Sequence, residues 1–174
     1  MNICIFCSAR DIDAKYTDPA KELVTELVKR GHTIVYGASD IGLMKTIIDT
    51  AQAHNGKAIG VTYESIANVA RKNLQELIVE KNIGDRQVTM SSRSDAFILL
   101  PGGIESINEM TTIWVHKKWN IHQKPVVVLN SAGYYDGLKL QLETMDSAGF
   151  LFKPLDQVAN FVDTPAQVWE HLKA

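Results

Sequence analysis

Five short runs in this chain are apolar almost without interruption: Ile3–Phe6, Ile34–Tyr36, Ala58–Val61, Ala96–Leu100 and Val126–Leu129. A strand with one face in water alternates apolar and polar residues; these do not. They read as strands buried on both faces, which requires a parallel sheet covered by helices on both sides. Between them lie segments of helical periodicity. The spacing predicts strands at Asn2–Phe6, Thr33–Tyr36, Lys57–Val61, Glu76–Val79, Ala96–Leu100, Pro125–Leu129 and Asn160–Val162. It predicts helices over Tyr16–Arg30, Ile41–His54, Gly84–Arg93, Ile104–Trp119, Tyr135–Ala148 and Pro165–Leu172, and a loop with a short helix between Thr62 and Asn73. The expected fold class is α/β: a single doubly wound, Rossmann-like parallel sheet with helices on both faces. With crossovers right-handed and no linker or repeat, residues 1–174 are expected to form one domain.

Composition narrows the function. A formal net charge of −2 gives no support for a nucleic-acid surface. No apolar stretch approaches membrane-spanning length, and the start of the chain does not read as a signal peptide. A cytoplasmic setting is expected. Cys4 and Cys7 have C-x-x-C spacing, but within a strand an i, i+3 pair points to opposite faces, so they read as buried thiols. The five histidines lack ligand spacing, and neither a metal nor a cofactor is expected.

Ligands of doubly wound sheets bind beyond the carboxyl ends of the strands. Two glycine turns open helices there, at Gly37–Gly42 and at Pro101-Gly102-Gly103. Such turns leave backbone N–H groups uncovered, and the helix behind adds a partial positive charge, so an anion is welcome. The first turn is not a dinucleotide fingerprint, because Ser39 stands where the second glycine belongs. Glu109 sits a turn into the second helix. Ser106-x-x-Glu109 also has the spacing of a capping box, which on its own would only satisfy helix amides.

The segment Tyr36-Gly37-Ala38-Ser39-Asp40-Ile41-Gly42-Leu43-Met44 resembles the V-Y-G-G-G-x-x-G-L-M motif of the LOG family. Pro101-Gly102-Gly103-Ile104-Glu105-Ser106-Ile107-Asn108-Glu109 resembles that family's P-G-G-x-G-T-x-x-E, and Asp85-Arg86-Gln87-Val88-Thr89-Met90 its R-K-x-x-M segment. Phe6-Cys7, Ile121–Pro125, Leu129-Asn130 and Gly133-Tyr134-Tyr135 also follow the family. The resemblance runs from residue 2 to about residue 150.

LOG proteins are cytokinin riboside 5′-monophosphate phosphoribohydrolases, although many relatives carry the label lysine decarboxylase. The resemblance implies hydrolysis of the N-glycosidic bond of a purine or cytokinin nucleoside 5′-monophosphate, giving base and ribose 5-phosphate. It implies catalytic roles for Glu109 and Arg86, and substrate binding by Gly37, Gly42, Met44, Gly102, Gly103, Glu105 and Ser106. The expected partner is a nucleoside monophosphate or related small molecule. A homodimer is expected too, with the helix after the second glycine turn near the contact and Trp114 and Trp119 in the interface.

Some positions depart from the pattern. Glu105 replaces a glycine and Gln87 a lysine, both changes making the phosphate end more negative; Ala38 and Lys45 replace glycines near the first turn. A carboxylate about 4 Å from a phosphate charge costs about 4 kcal/mol at an effective dielectric of about 20. Facing inward, Glu105 would therefore favour the alternative reading, a non-catalytic protein or one of altered specificity that binds nucleosides or nucleotides. Facing solvent, it would only strengthen the helix start. Arg10 and Lys45 are candidate compensating cations.

Overall fold

The computed structural model describes residues 1–172. Seven strands, β1 (Asn2–Phe6), β2 (Thr33–Tyr36), β3 (Lys57–Tyr63), β4 (Glu76–Glu80), β5 (Ala96–Leu99), β6 (Val126–Leu129) and β7 (Asn160–Val162), form one sheet. Their order is β4-β3-β2-β1-β5-β6-β7, and every pairing is parallel. The unbroken apolar runs are explained by two cores. Ile3, Ile5, Ile34, Tyr36, Ile98 and Leu129 point into one; Cys4, Phe6, Val35, Phe97, Leu99 and Val128 point into the other.

Helices α1 (Ala14–Lys29), α2 (Gly42–Ala53) and α7 (Pro165–His171) cover the first core through Leu23, Leu27, Ile47, Ile48 and Val168. Helices α3 (Ile83–Ser92), α4 (Ile104–Lys118), α5 (Asp136–Ser147) and α6 (Leu155–Val158) cover the second through Met90, Met110, Ile113, Leu142 and Leu155. The chain builds outward from β1 to β4, then returns to place β5 on the other side of β1. That reversal opens a crevice above the carboxyl ends of β1 and β5.

Cys4 and Cys7 fall in opposite cores, as strand geometry requires, and burial pushes both thiols far up. Most expected elements lie within two residues of their observed bounds. Three differences matter for the site. β3 continues through Thr62 and Tyr63 because β4 pairs alongside it as far as Glu80; a 3₁₀ turn, Glu64–Val69, follows. A second 3₁₀ turn, Ser131–Gly133, and the short α6 have no periodic pattern long enough to announce them. Finally, α4 has Gly103 as its N-cap, with no side-chain cap bond. Ser106 is thus inside the first turn, and the capping box is absent.

Candidate active site

Arg86 and Glu109 meet beneath the crevice. α3 is started by Asn82, whose Oδ1 accepts from the Asp85 amide at 3.0 Å; Arg86 is the next residue and points inward. Its Nε donates to the Val61 carbonyl at 3.0 Å and its Nη1 to Glu109 Oε1 at 2.6 Å. The two side chains are only 8% and 7% exposed. Nη2 lies over Gly37, where a Cβ would come within 2.3 Å of it. The glycine of the first turn is thus the seat of the guanidinium. Burial pushes the Glu109 carboxyl up; Arg86 pulls it down, and Glu105 adds to the rise. The net direction is upward, so Glu109 holds a proton more readily than a free glutamate.

The two helix starts behave differently. At α2, the Leu43 and Met44 amides donate to the carbonyls of Arg10 (3.2 Å) and Ser8 (3.1 Å). Gly42, at φ +62°, lies so close that a Cβ would come within 2.3 Å of the Ala9 backbone. The β1–α1 loop therefore plugs that terminus. At α4, the first bonded amide is Ile107, which donates to Gly103 at 3.1 Å. Among the described residues, the amides of Gly103, Ile104, Glu105 and Ser106 have no partner. Gly102 gives the Ser106 side chain its seat, since a Cβ there would lie 2.3 Å from Ser106 Oγ. The second turn leaves all four of its first amides free beside the helix dipole, whereas the first has two of its amides bonded to the β1–α1 loop.

A cleft of about 380 Å³ connects these features. Cys7, Gly37, Arg86, Ser106 and Glu109 line one part; Ile41, Met44, Tyr63, Ile66, Val69 and Ile83 make much of the rest apolar. The apolar segment is anchored from outside. The Asp40 amide donates to Val69 O at 3.0 Å and the Arg71 amide to Ala38 O at 2.8 Å. The Arg71 guanidinium binds Asp40 (3.1 Å), Asp49 (2.6 Å) and Gln52 (2.6 Å).

A buried carboxylate, its arginine and an open helix start in one crevice suit a small phosphorylated ligand. The family model described as "Possible lysine decarboxylase" matches residues 44–172. The cytokinin riboside 5′-monophosphate phosphoribohydrolase of Mycobacterium tuberculosis is 30% identical over 151 residues, 86% of this chain and 81% of that protein. The enzyme of the same name, LOG, from Oryza sativa subsp. japonica is 35% identical over 152 residues, 86% of this chain and 63% of that one. The chain belongs to the LOG family. A solved structure titled as the molybdenum cofactor binding protein of Rippkaea orientalis superposes with a TM-score of 0.74 over 97% of this chain and 93% of that one. At 17% identity it establishes the shared fold alone.

Of the LOG residues read from the sequence, Arg86, Glu109, Gly37, Met44, Glu105 and Ser106 line the cleft, whereas Gly42, Gly102 and Gly103 do not. Gly42 and Gly102 instead allow close packing behind it. The lining residues Thr62, Tyr63, Ile66, Val69, Ala70, Ile83 and Asn108 were not singled out. Their only signal was position: Thr62 and Tyr63 end β3, and Ile66, Val69 and Ala70 follow it.

The departures from the LOG pattern also have places. Glu105 is exposed at the cleft rim, and Gln87 is half-buried in the lining. Neither Arg10 nor Lys45 compensates: both lie outside the lining, and Lys45 is paired with Asp49. Arg86 is the one cation among the lining residues, against two carboxylates. Ala38 takes the left-handed conformation a glycine adopts freely, at φ +64°. Trp114, expected in the interface, is instead buried in this chain's own core between α4 and the sheet, whereas Trp119 is 64% exposed.

Proposed function

We propose that this protein hydrolyses the N-glycosidic bond of a purine or cytokinin nucleoside 5′-monophosphate to free base and ribose 5-phosphate. The observation that carries the reading is the buried Arg86–Glu109 pair beside the unpartnered amides of Ile104, Glu105 and Ser106, with that of Gly103 next to them, at one end of a largely apolar cleft. Glycosidic cleavage passes through an oxocarbenium-like transition state. The amides of Gly103–Ser106 would receive the phosphate, the apolar lining the base, and the Glu109 carboxylate the cationic sugar between them. As the C1′–N bond breaks, its electron pair leaves with the base. Water then forms the new C1′–O bond, and the proton it loses, taken by Glu109, ends on the base. Arg86 keeps Glu109 oriented and favours its ionised form.

In this reading residues 1–174 act as one unit, a nucleotide-binding cytoplasmic enzyme working as a homodimer. The ring pair Trp119 and Phe152, 64% and 78% exposed with centroids 6.5 Å apart, supports a contact with a second copy. Among the described residues no helix is long and apolar enough to cross a membrane.

The test is turnover of AMP and of N6-prenylated adenosine monophosphate, followed by release of base. Activity with ribose 5-phosphate as co-product, lost in Glu109→Gln, is the expected result. A second reading has its own support in the rim carboxylate of Glu105 and the missing lysine at Gln87. These favour an unphosphorylated nucleoside as ligand. Stabilisation by adenosine without stabilisation or turnover by any monophosphate would replace the first reading with the second.

A further inference from the structure

The turn between β5 and α4 is gripped from behind at three consecutive carbonyls. Tyr135 Oη donates to Leu100 O at 2.8 Å, the Ser8 amide to Pro101 O at 3.2 Å, and Tyr134 Oη to Gly102 O at 2.8 Å. A trans peptide is planar, with its N–H directed opposite its C=O. Fixing the Gly102 carbonyl therefore fixes the aim of the Gly103 N–H, first of the four free amides.

The tyrosines are delivered by a built corner. β6 pairs with β5, Val128 beside Leu99, so the segment after β6 emerges next to the turn. There Ala132 and Gly133 adopt left-handed backbone, φ +52° and +70°, and reverse the chain. Asn130 secures the result: its Oδ1 accepts from the Tyr135 amide at 2.6 Å, and its Nδ2 donates to Asp136 Oδ1 at 2.7 Å. The Tyr134 ring stands edge-on to Tyr16 at 5.3 Å and to Tyr135 at 4.8 Å. Tyr134 is 43% exposed, so water is available to its hydroxyl, yet the hydroxyl is held on Gly102.

We infer that Tyr134 and Tyr135 are positioning residues for the phosphate end of the substrate, acting through the carbonyls of Leu100 and Gly102. Neither tyrosine lines the cleft, so their effect passes through the backbone of the turn. The inference rests on the phosphoribohydrolase reading and assigns it a support on the far side of the amides. Without the two hydroxyls, the Gly102–Gly103 peptide gains freedom to rotate, and its N–H is no longer preset for an anion.

The experiment compares the full-length wild type with Tyr134→Phe and Tyr134→Phe/Tyr135→Phe. Calorimetry measures binding of ribose 5-phosphate and of adenine, and steady-state kinetics measures AMP hydrolysis. Loss of one neutral hydrogen bond predicts roughly three- to tenfold weaker ribose 5-phosphate binding in Tyr134→Phe. KM for AMP should rise by a similar factor and kcat change less than about twofold, with adenine binding unaltered and the double variant weaker still. Unchanged ribose 5-phosphate binding overturns the inference. So does an equal loss of adenine affinity, which would mean general loosening, and so does a wild type that does not bind ribose 5-phosphate. If ribose 5-phosphate binding responds as expected but wild type leaves AMP intact, the hydrolase reading fails and the tyrosine support stands.

Discussion

Gly37 lies directly under Arg86: a methyl group on residue 37 would sit 2.3 Å from the guanidinium Nη2. The two residues are far apart in sequence, yet the buried arginine has room only because the residue that follows β2 has no side chain. Arg86 cannot give way cheaply, since its Nε and Nη1 are already committed to Val61 O and Glu109.

Gly37→Ala should therefore push the guanidinium off Glu109. Misplacing a catalytic group by about 1 Å costs on the order of 100-fold in rate, and overpacking a buried site costs about 1–3 kcal/mol of stability. Steady-state kinetics and urea unfolding of the variant check both. A Gly37→Ala enzyme with wild-type kcat would show that Arg86 need not sit where it does.

Glu105 raises the carboxyl of Glu109 although its own side chain is at the rim. If Glu109 must be ionised to stabilise the sugar cation, activity falls as pH drops through its raised value. Glu105→Gln removes one source of that rise, so the acid limb of the kcat/KM profile should move to lower pH. The same change should strengthen AMP binding. With the rim in water, the effective dielectric is nearer 80, and a 4 Å approach costs about 1 kcal/mol, or roughly fivefold in affinity. An acid limb and a KM for AMP that both stay in place would show that the rim charge does not reach the site.

The sheet was legible because burial on two faces leaves an unmistakable mark: Val126–Leu129 has no polar residue to misplace. The pair Arg86 and Glu109 was legible only through family motifs, because a lone arginine early in a helix looks solvated until its carbonyl and carboxylate partners are known. The apolar lining was not legible. Ile66 and Val69 lie in a 3₁₀ turn too short for any period, and Arg71, which anchors them, bonds to residues 19 to 31 positions away. The two glycine turns looked alike in sequence; only the path of Ser8–Arg10 over α2 made one of them closed.

Trp119 and Phe152 give a test of the assembly. Two large rings at 64% and 78% exposure, with Lys118 Nζ 5.0 and 3.9 Å from their centres, are costly to leave in water. Light scattering should give the mass of a dimer for wild type. In Trp119→Glu/Phe152→Glu it should give the mass of a monomer, with little change in the melting of the monomer itself. A wild type already monomeric at micromolar concentration would leave the pair without the proposed role.

Asp49 links pH to the apolar side of the cleft. Burial pushes its carboxyl up, but hydrogen bonds from Lys45 and Arg71 outweigh this and hold it below the usual carboxylate range. A depressed acid contributes stability that is present above the unfolded value, about 3.9, and lost as pH falls through the folded value. Protonating Asp49 takes from Arg71 one of the anchors that hold the Glu64–Val69 segment over the cleft. Asp49→Asn should lower the melting temperature at pH 7, and its deficit against wild type should shrink as pH drops below about 4. The same substitution should weaken binding of an N6-prenylated nucleotide more than that of ribose 5-phosphate, because in the proposed mode the anchored segment faces the base and not the sugar phosphate. A deficit that stays constant down to pH 3 would remove Asp49 from the acid response and leave the anchoring to Asp40 and Gln52.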